Sequence, residues 1–327
     1  MEKESNNWYI NDLQILLYMA ADEGREKILF GDGMDIAQKV LPAYLKGDTF
    51  PKIYLEFPLT GDPFLDLTIG YGTVSDTEED KMLKWVSDKS KIHKGVCCGY
   101  ELDLKNGEPK QAAIHFQPLR NIELVEPFFG VIGEQDKASL YLTMTERLPK
   151  EWQPSFLGLF RGRPESPLRI CGYLQRSEIN ECIRDKDRIR RVFECAGFKA
   201  YDGAMMEQLY SLLSVLPNIA DYQFDIYPDG SLGESFAIDL RLPVTRPVEL
   251  RPFFETGNGA GLKDLLSKWE IIDQRFDKTL DMAFSGAVPA KSGLHAYVLR
   301  PDWIKVRWKN GKLQPAKMYV LNMAGLV

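Results

Sequence analysis

Runs that alternate apolar with polar residues, paired across strong turn signals, constrain this chain more than any other feature. Residues 51–59 and 64–71 alternate on either side of Thr60-Gly61-Asp62-Pro63, the period-two signature of strands joined in a hairpin. Residues 95–104 and 110–117 flank Lys105-Asn106-Gly107-Glu108, whose Asn-Gly suits a tight turn. Residues 222–227 and 232–242 surround Pro228-Asp229-Gly230-Ser231, and 303–308 and 316–321 surround Asn310-Gly311, with a further extended run at 294–299. In between, 139–146, 156–161 and 168–175 read as three extended runs broken by Pro149, Pro154 and Pro164, which leaves the strand count there open. Helical spacing marks 11–21, 34–45, 82–86 after an acidic start, 119–129, 177–196, 201–216, 262–272 and 276–284. Five hairpins separated by helices predict an α+β chain of about ten antiparallel strands. No Ser-, Pro- or Gly-rich linker divides it, so one domain is expected over 1–327, with 149–167 the only candidate boundary.

Each strand splits into an oily and a polar face. Ile53, Leu55 and Phe57 oppose Lys52, Tyr54 and Glu56, and Leu65, Leu67 and Ile69 oppose Asp66 and Thr68. Leu168, Ile170 and Leu174 oppose Arg169, Cys171 and Tyr173, while Tyr222, Phe224 and Ile226 oppose Gln223, Asp225 and Tyr227. Phe236, Ile238 and Leu240 oppose Ser235, Asp239 and Arg241; Ile304, Val306 and Trp308 oppose Lys305 and Arg307; Lys317 and Tyr319 stand together across Met318. Two architectures satisfy this pattern. One is an open sheet with helices on its oily face and water on the other; the second is an antiparallel β-barrel with helices outside and a polar lumen. Closure would also remove the exposed edges.

The formal net charge of −6 offers nucleic acid or an anionic membrane no global attraction, so an anion must be met by a local Lys/Arg cluster. Neither partner is expected. Cys97, Cys98, Cys171, Cys182 and Cys195 are odd in number and lack CxxC spacing, which fits a reduced, cytoplasmic setting. His93, His115 and His295 are scattered, arguing against a histidine-based zinc site or triad. No apolar run reaches the length of a membrane span.

Lys-x-Tyr occurs on a strand twice, as Lys52-Ile53-Tyr54 and Lys317-Met318-Tyr319, so that ammonium and phenol share one face. With five helix–hairpin units, the chain resembles the αββα (ABBA) prenyltransferase barrel of soluble aromatic and cyanobactin peptide prenyltransferases. The resemblance covers nearly the whole chain. It implies that both Lys-x-Tyr pairs face an allylic diphosphate donor, with Arg169, Lys305 and Arg307 extending the cluster. It also implies that Tyr54, Tyr173, Tyr227 and Tyr319 shield a carbocation, and that Glu56, Asp66, Glu101 or Asp239 orients or deprotonates the acceptor. The activity implied is transfer of an isoprenyl group to an aromatic small molecule or a peptide, in tailoring of natural products such as ribosomal peptides (RiPPs). The acidic run 76–80 is not a DDxxD and reads as a helix start; no cofactor is assigned, and magnesium stays open. The rival readings are a non-catalytic protein of the same fold that binds a peptide or small ligand, and an open-sheet enzyme of unrelated chemistry.

Other clusters read as structural. Arg161 and Arg163 sit in a Pro- and Gly-rich turn; they could meet an anion or a peptide carboxylate, but a structural turn with solvated arginines is the expectation. The basic residues of 184–191 alternate with Asp185 and Asp187 as a solvated helix face. Cys97-Cys98 sends at most one thiol to the polar side, and the Met/Leu band of 201–216 reads as core.

Overall fold

The computed structural model describes residues 25–44, 52–71, 80–108, 111–290 and 293–326; the helix expected over 11–21 lies outside them. The strands are β1 (Lys52–Pro58), β2 (Asp66–Tyr71), β3 (Cys97–Asp103), β4 (Ala113–Gln117), β5 (Phe156–Leu159) and β6 (Leu168–Leu174), then β7 (Ala220–Ile226), β8 (Leu232–Arg241), β9 (Phe284–Ala290), β10 (Gly293–Lys309), β11 (Lys312–Leu313) and β12 (Lys317–Leu326). The helices are α1 (Arg25–Phe30), α2 (Gly33–Tyr44), α3 (Lys81–Ser90), α4 (Val125–Ile132), α5 (Asp136–Arg147) and α6 (Arg176–Arg184), then α7 (Asp187–Ala196), α8 (Gly203–Val215), α9 (Pro247–Glu255), α10 (Gly257–Lys268) and α11 (Arg275–Leu280).

The sheet closes. Neighbouring strands pair antiparallel in the order β10-β12-β1-β2-β3-β4-β5-β6-β7-β8, and β8 pairs back onto β10 from Trp303↔Arg241 to Lys309↔Ser235. Ten strands therefore form a barrel, with β11 on the last hairpin and β9 along the first half of β10. The open-sheet alternative falls on this closure.

Alternation then sorts the side chains. Ile53, Leu55, Phe57, Ile170, Phe224, Ile238, Ile304, Val306 and Met318 point outward and are almost fully buried, in one cluster with helix residues such as Leu83, Val86, Phe128, Phe193 and Leu212. Each such burial contributes about 1.5–3 kcal/mol, so the helical jacket holds the wall from outside and leaves the inside polar. One close approach depends on a missing side chain. The Tyr222 ring lies across Gly172, where a Cβ would come within 2.5 Å of it, and its hydroxyl donates to the Trp152 carbonyl.

Four expectations need correction. Residues 139–146 are not a strand but part of α5, because Ala138, Tyr141, Met144 and Leu148 are buried at spacings of three and four. The helix expected over 177–196 divides into α6 and α7, where the Asp185 carboxylate takes the Asp187 N–H and ends the run. Residues 294–299 and 303–308 form one strand, bulged between Pro301 and Trp303, since proline has no N–H to give a ladder. Residues 276–284 hold only the short α11, followed by β9, which the turn signals had not marked. Of the acidic run 76–80, only Asp80 is described, and it caps α3 by accepting the Met82 and Leu83 N–H groups at 3.1 Å each.

Candidate functional site

The lumen opens, at the end carrying the hairpin turns, into a cavity of about 500 Å³. Its rim comes from those turns: Gly61 and Asp62 between β1 and β2, Lys105 and Asn106 between β3 and β4, Arg163 between β5 and β6, and Gln314 and Pro315 before β12. Its floor is the strand wall, where register sets Glu56 opposite both Asp66 and Tyr319, Lys305 opposite both Lys317 and Asp239, and Arg169 opposite Asp225.

Charges of both signs meet there. Lys317 Nζ lies 3.0 Å from Glu56 and 3.1 Å from Asp66, and Lys305 Nζ lies 3.7 Å from Glu56 and 4.0 Å from Asp239. Burial opposes ionisation of Glu56, but Lys305 and Lys317 outweigh it and hold its pKa at about 2. Asp66 goes the other way: burial, helped by the neighbouring Glu56 and Asp103 and opposed by Lys317, takes it up to about 6. Two carboxylates sharing one ammonium thus differ in proton affinity, the separation expected when one must stay charged and the other can take a proton.

A second cluster lies across the cavity. Arg169 holds Asp225 through two hydrogen bonds of 2.8 and 3.2 Å. Arg163 clasps Asp103 through two bonds of 2.8 Å, reaches Glu101 at 3.3 Å and stacks over the Phe160 ring at 3.7 Å. Glu101 also meets His115 Nε2 at 2.7 Å; burial opposes its charge, but His115 and Arg163 hold it well below the usual carboxylate range. Arg307 differs from both arginines. It lines the same cavity, has no ion pair among the described residues, and its buried Nε has no hydrogen-bond acceptor. Burial and the nearby Arg169 lower its pKa from the guanidinium norm, so an incoming anion would relieve its repulsion with Arg169.

The predicted site residues separate into groups. Glu56, Asp66, Arg169, Lys305, Arg307 and Lys317 converge on the cavity. Tyr54, Tyr173 and Tyr319 line the wall deeper in: the Tyr54 and Tyr319 rings meet edge-on at 6.5 Å, Tyr54 donates to Asp302 at 3.2 Å, and Lys305 bonds the Tyr319 hydroxyl. Asp239 is buried behind Gln223, whose amide donates to it at 2.6 Å. Lys52 is exposed at the end away from the turns, so only the second Lys-x-Tyr delivers both its side chains to the site. Tyr227 lies beyond the end of β7, in the turn to β8, and does not join the cavity. Two participants were not among the expected site residues. Arg163 is a half-buried cavity residue rather than a solvated turn arginine, and His115 pairs with Glu101. The available signal was the carboxylate pair Glu101 and Asp103 on one face of β3, which required cations from elsewhere in the chain.

No family model matches the chain, and no curated protein does so either. Among solved structures it is similar to 5-dimethylallyltryptophan synthase from Streptomyces coelicolor, with a TM-score of 0.53 at 11% identity over 96% of both chains. The complex of that synthase with DMASPP and Trp gives 0.54 at 12% identity over 96% of this chain and 93% of that one. PriB, in a binary complex with product diphosphate, gives 0.51 at 13% identity over 96% of both. The chain has the αββα prenyltransferase-barrel fold.

Proposed function

We propose that this chain transfers an isoprenyl group from an allylic diphosphate to an aromatic acceptor, a small molecule or an aromatic side chain of a peptide in natural-product tailoring. The observation that carries this reading is Arg307, a cation with no ion pair among the described residues, lining a cavity whose other buried or half-buried cations, Arg163, Arg169, Lys305 and Lys317, are already held by carboxylates. A half-buried guanidinium whose enclosed Nε lacks a partner is under-satisfied, and a diphosphate would supply the missing counter-charge through strong charge-assisted bonds. A cavity of about 500 Å³ is within the usual range for a small-molecule site.

In the proposed reaction the allylic C–O bond breaks and diphosphate leaves with the electron pair, its developing charge met by Arg307, Lys305 and Lys317. Tyr54, Tyr173 and Tyr319 turn aromatic rings toward the allylic cation from deeper in the lumen. The acceptor's π electrons form the new C–C bond, and Asp66, primed by burial to take a proton, accepts the one lost as aromaticity returns. Glu56 stays ionised and holds Lys317 in place. The described residues gather no group of three His, Cys, Asp or Glu side chains able to hold a metal ion; magnesium would enter as the diphosphate's counter-ion, and no step is assigned to it.

The test is calorimetric titration of the full chain with dimethylallyl thiolodiphosphate, followed by assay of dimethylallyl diphosphate with tryptophan, tyrosine and aromatic peptides. Saturable binding that weakens about tenfold or more in Arg307→Met, together with a prenylated product, is the expected result. No binding would end the proposal. Binding without product from any acceptor would favour the non-catalytic ligand-binding reading.

A further inference from the structure

Beyond the cavity, the lumen wall holds a carboxyl group that the proposed transfer does not use. Asp221 is 7% exposed, its Oδ1 has no hydrogen-bond partner, and no ion pair reaches it among the described residues. Register sets it directly opposite Asp239 on β8 and Tyr173 on β6. Asp239 is 6% exposed and likewise keeps one unpartnered oxygen, its Oδ1, the other being held by Gln223. Cations that could neutralise the pair are committed elsewhere: Lys305 stands 4.0 Å from Asp239 but also serves Glu56 and Tyr319, and Arg241 is exposed, 5.7 Å over the Trp303 ring. Buried polar oxygens without partners are rare and costly in native structures. Two facing each other across a strand pair, beside a tyrosine, match what a small cation needs: acceptors for its N–H groups and the negative face of an aromatic ring.

Resting on the proposed transfer reaction, we propose that Asp221 and Asp239 form a subsite for a primary ammonium group carried by the acceptor, so that the substrate is an aromatic amine, such as an amino acid, an arylalkylamine or a peptide N-terminus. The lumen then has two ends of opposite preference, with the diphosphate among the arginines near the turns and the ammonium at the acids farther in. Burial, reinforced by Asp239, raises the Asp221 pKa well above the carboxylate range; an arriving ammonium would oppose that shift by stabilising the carboxylate.

The experiment compares matched probes differing only at the amine. Tryptamine against tryptophol, and tyramine against tyrosol, are titrated into the full chain by calorimetry in the presence of inorganic pyrophosphate. Each amine should bind at least about tenfold more tightly than its alcohol, and the preference should disappear in Asp221→Asn and in Asp239→Asn, isosteric changes that keep the packing. Equal binding of amine and alcohol, a preference that survives both substitutions, or no binding by either set would overturn the subsite. Pyrophosphate binding, recorded in the same samples, separates the two levels. If pyrophosphate binds the parent protein and the amines gain nothing, only this subsite is lost; if pyrophosphate itself fails to bind, the transfer reaction falls with it.

Discussion

Near the hairpin turns, Lys317 bridges Glu56 and Asp66 at 3.0 and 3.1 Å and Arg169 grips Asp225 at 2.8 Å, whereas farther along the same lumen the Asp221 Oδ1 has no hydrogen-bond partner and its carboxyl no ion pair among the described residues. Both regions belong to one wall and face the same way. The difference shows that polarity inside this barrel is not generic wetting. At the turn end nearly every charge is answered and Arg307 is left over; at the other end acids and tyrosines predominate, and burial disfavours the charged form of Asp221. A donor carrying negative charge at one end and an acceptor carrying positive charge at the other would together complete both.

Breaking the best-answered charge should cost most. Lys317→Met leaves Glu56 and Asp66 buried and facing each other without their shared cation, and should lower unfolding free energy by about 3–5 kcal/mol in urea titrations. A change below about 1 kcal/mol would mean that the pair at the turn end is no better settled than the acids farther in. Arg307→Met is the opposite case, because the removed charge has no ion-pair partner among the described residues. Diphosphate affinity should fall about tenfold to a hundredfold, while the unfolding midpoint holds or rises.

Proton linkage sharpens the contrast. Asp239 is pushed up to about 6 by burial, with Lys305 opposing and Glu56 adding to the rise, so between the ordinary Asp value and that point the folded state holds a proton which the unfolded chain has released. Stability from this group is therefore present at low pH and lost as pH rises through about 6, and Asp239→Asn should flatten that decline by roughly 3 kcal/mol across the window. Glu56, held at about 2, contributes with the opposite sign: its stabilisation is full above the ordinary Glu value and lost as pH falls toward 2. Unfolding curves from pH 3 to 8 in both backgrounds would check the two directions separately. The smallest effect is expected at Tyr54→Phe, which removes one 3.2 Å bond to Asp302 and should cost about 1 kcal/mol without altering diphosphate affinity.

Much of this was legible in the residues themselves. The turns at Asn106-Gly107 and Asn310-Gly311 were marked because few residues tolerate a positive φ, and Gly107, Asn310 and Gly311 all adopt one. Residues 139–146 were misread because Leu140, Tyr141 and Leu142 mimic a short apolar strand, and only the wider spacing from Ala138 to Leu148 discloses the helix. Lys52 and Lys317 carry the same local motif, yet one is exposed beyond the far end while the other is clasped at the site. Nothing in a three-residue pattern encodes its height along a barrel.

By itself, then, the sequence determined which side of each strand is oily and which is polar, since a period of two is written in neighbouring residues and burial of the oily side dominates the energy. Tertiary structure decided closure, through the pairing of β8 with β10, and it decided which charges meet: Arg163 with Glu101 and Asp103, 62 and 60 residues apart, or Lys317 with Asp66, 251 apart. Those encounters depend on strand register and barrel curvature summed over ten strands. Local alternation sets which way a side chain faces, and only the closed wall sets what it faces.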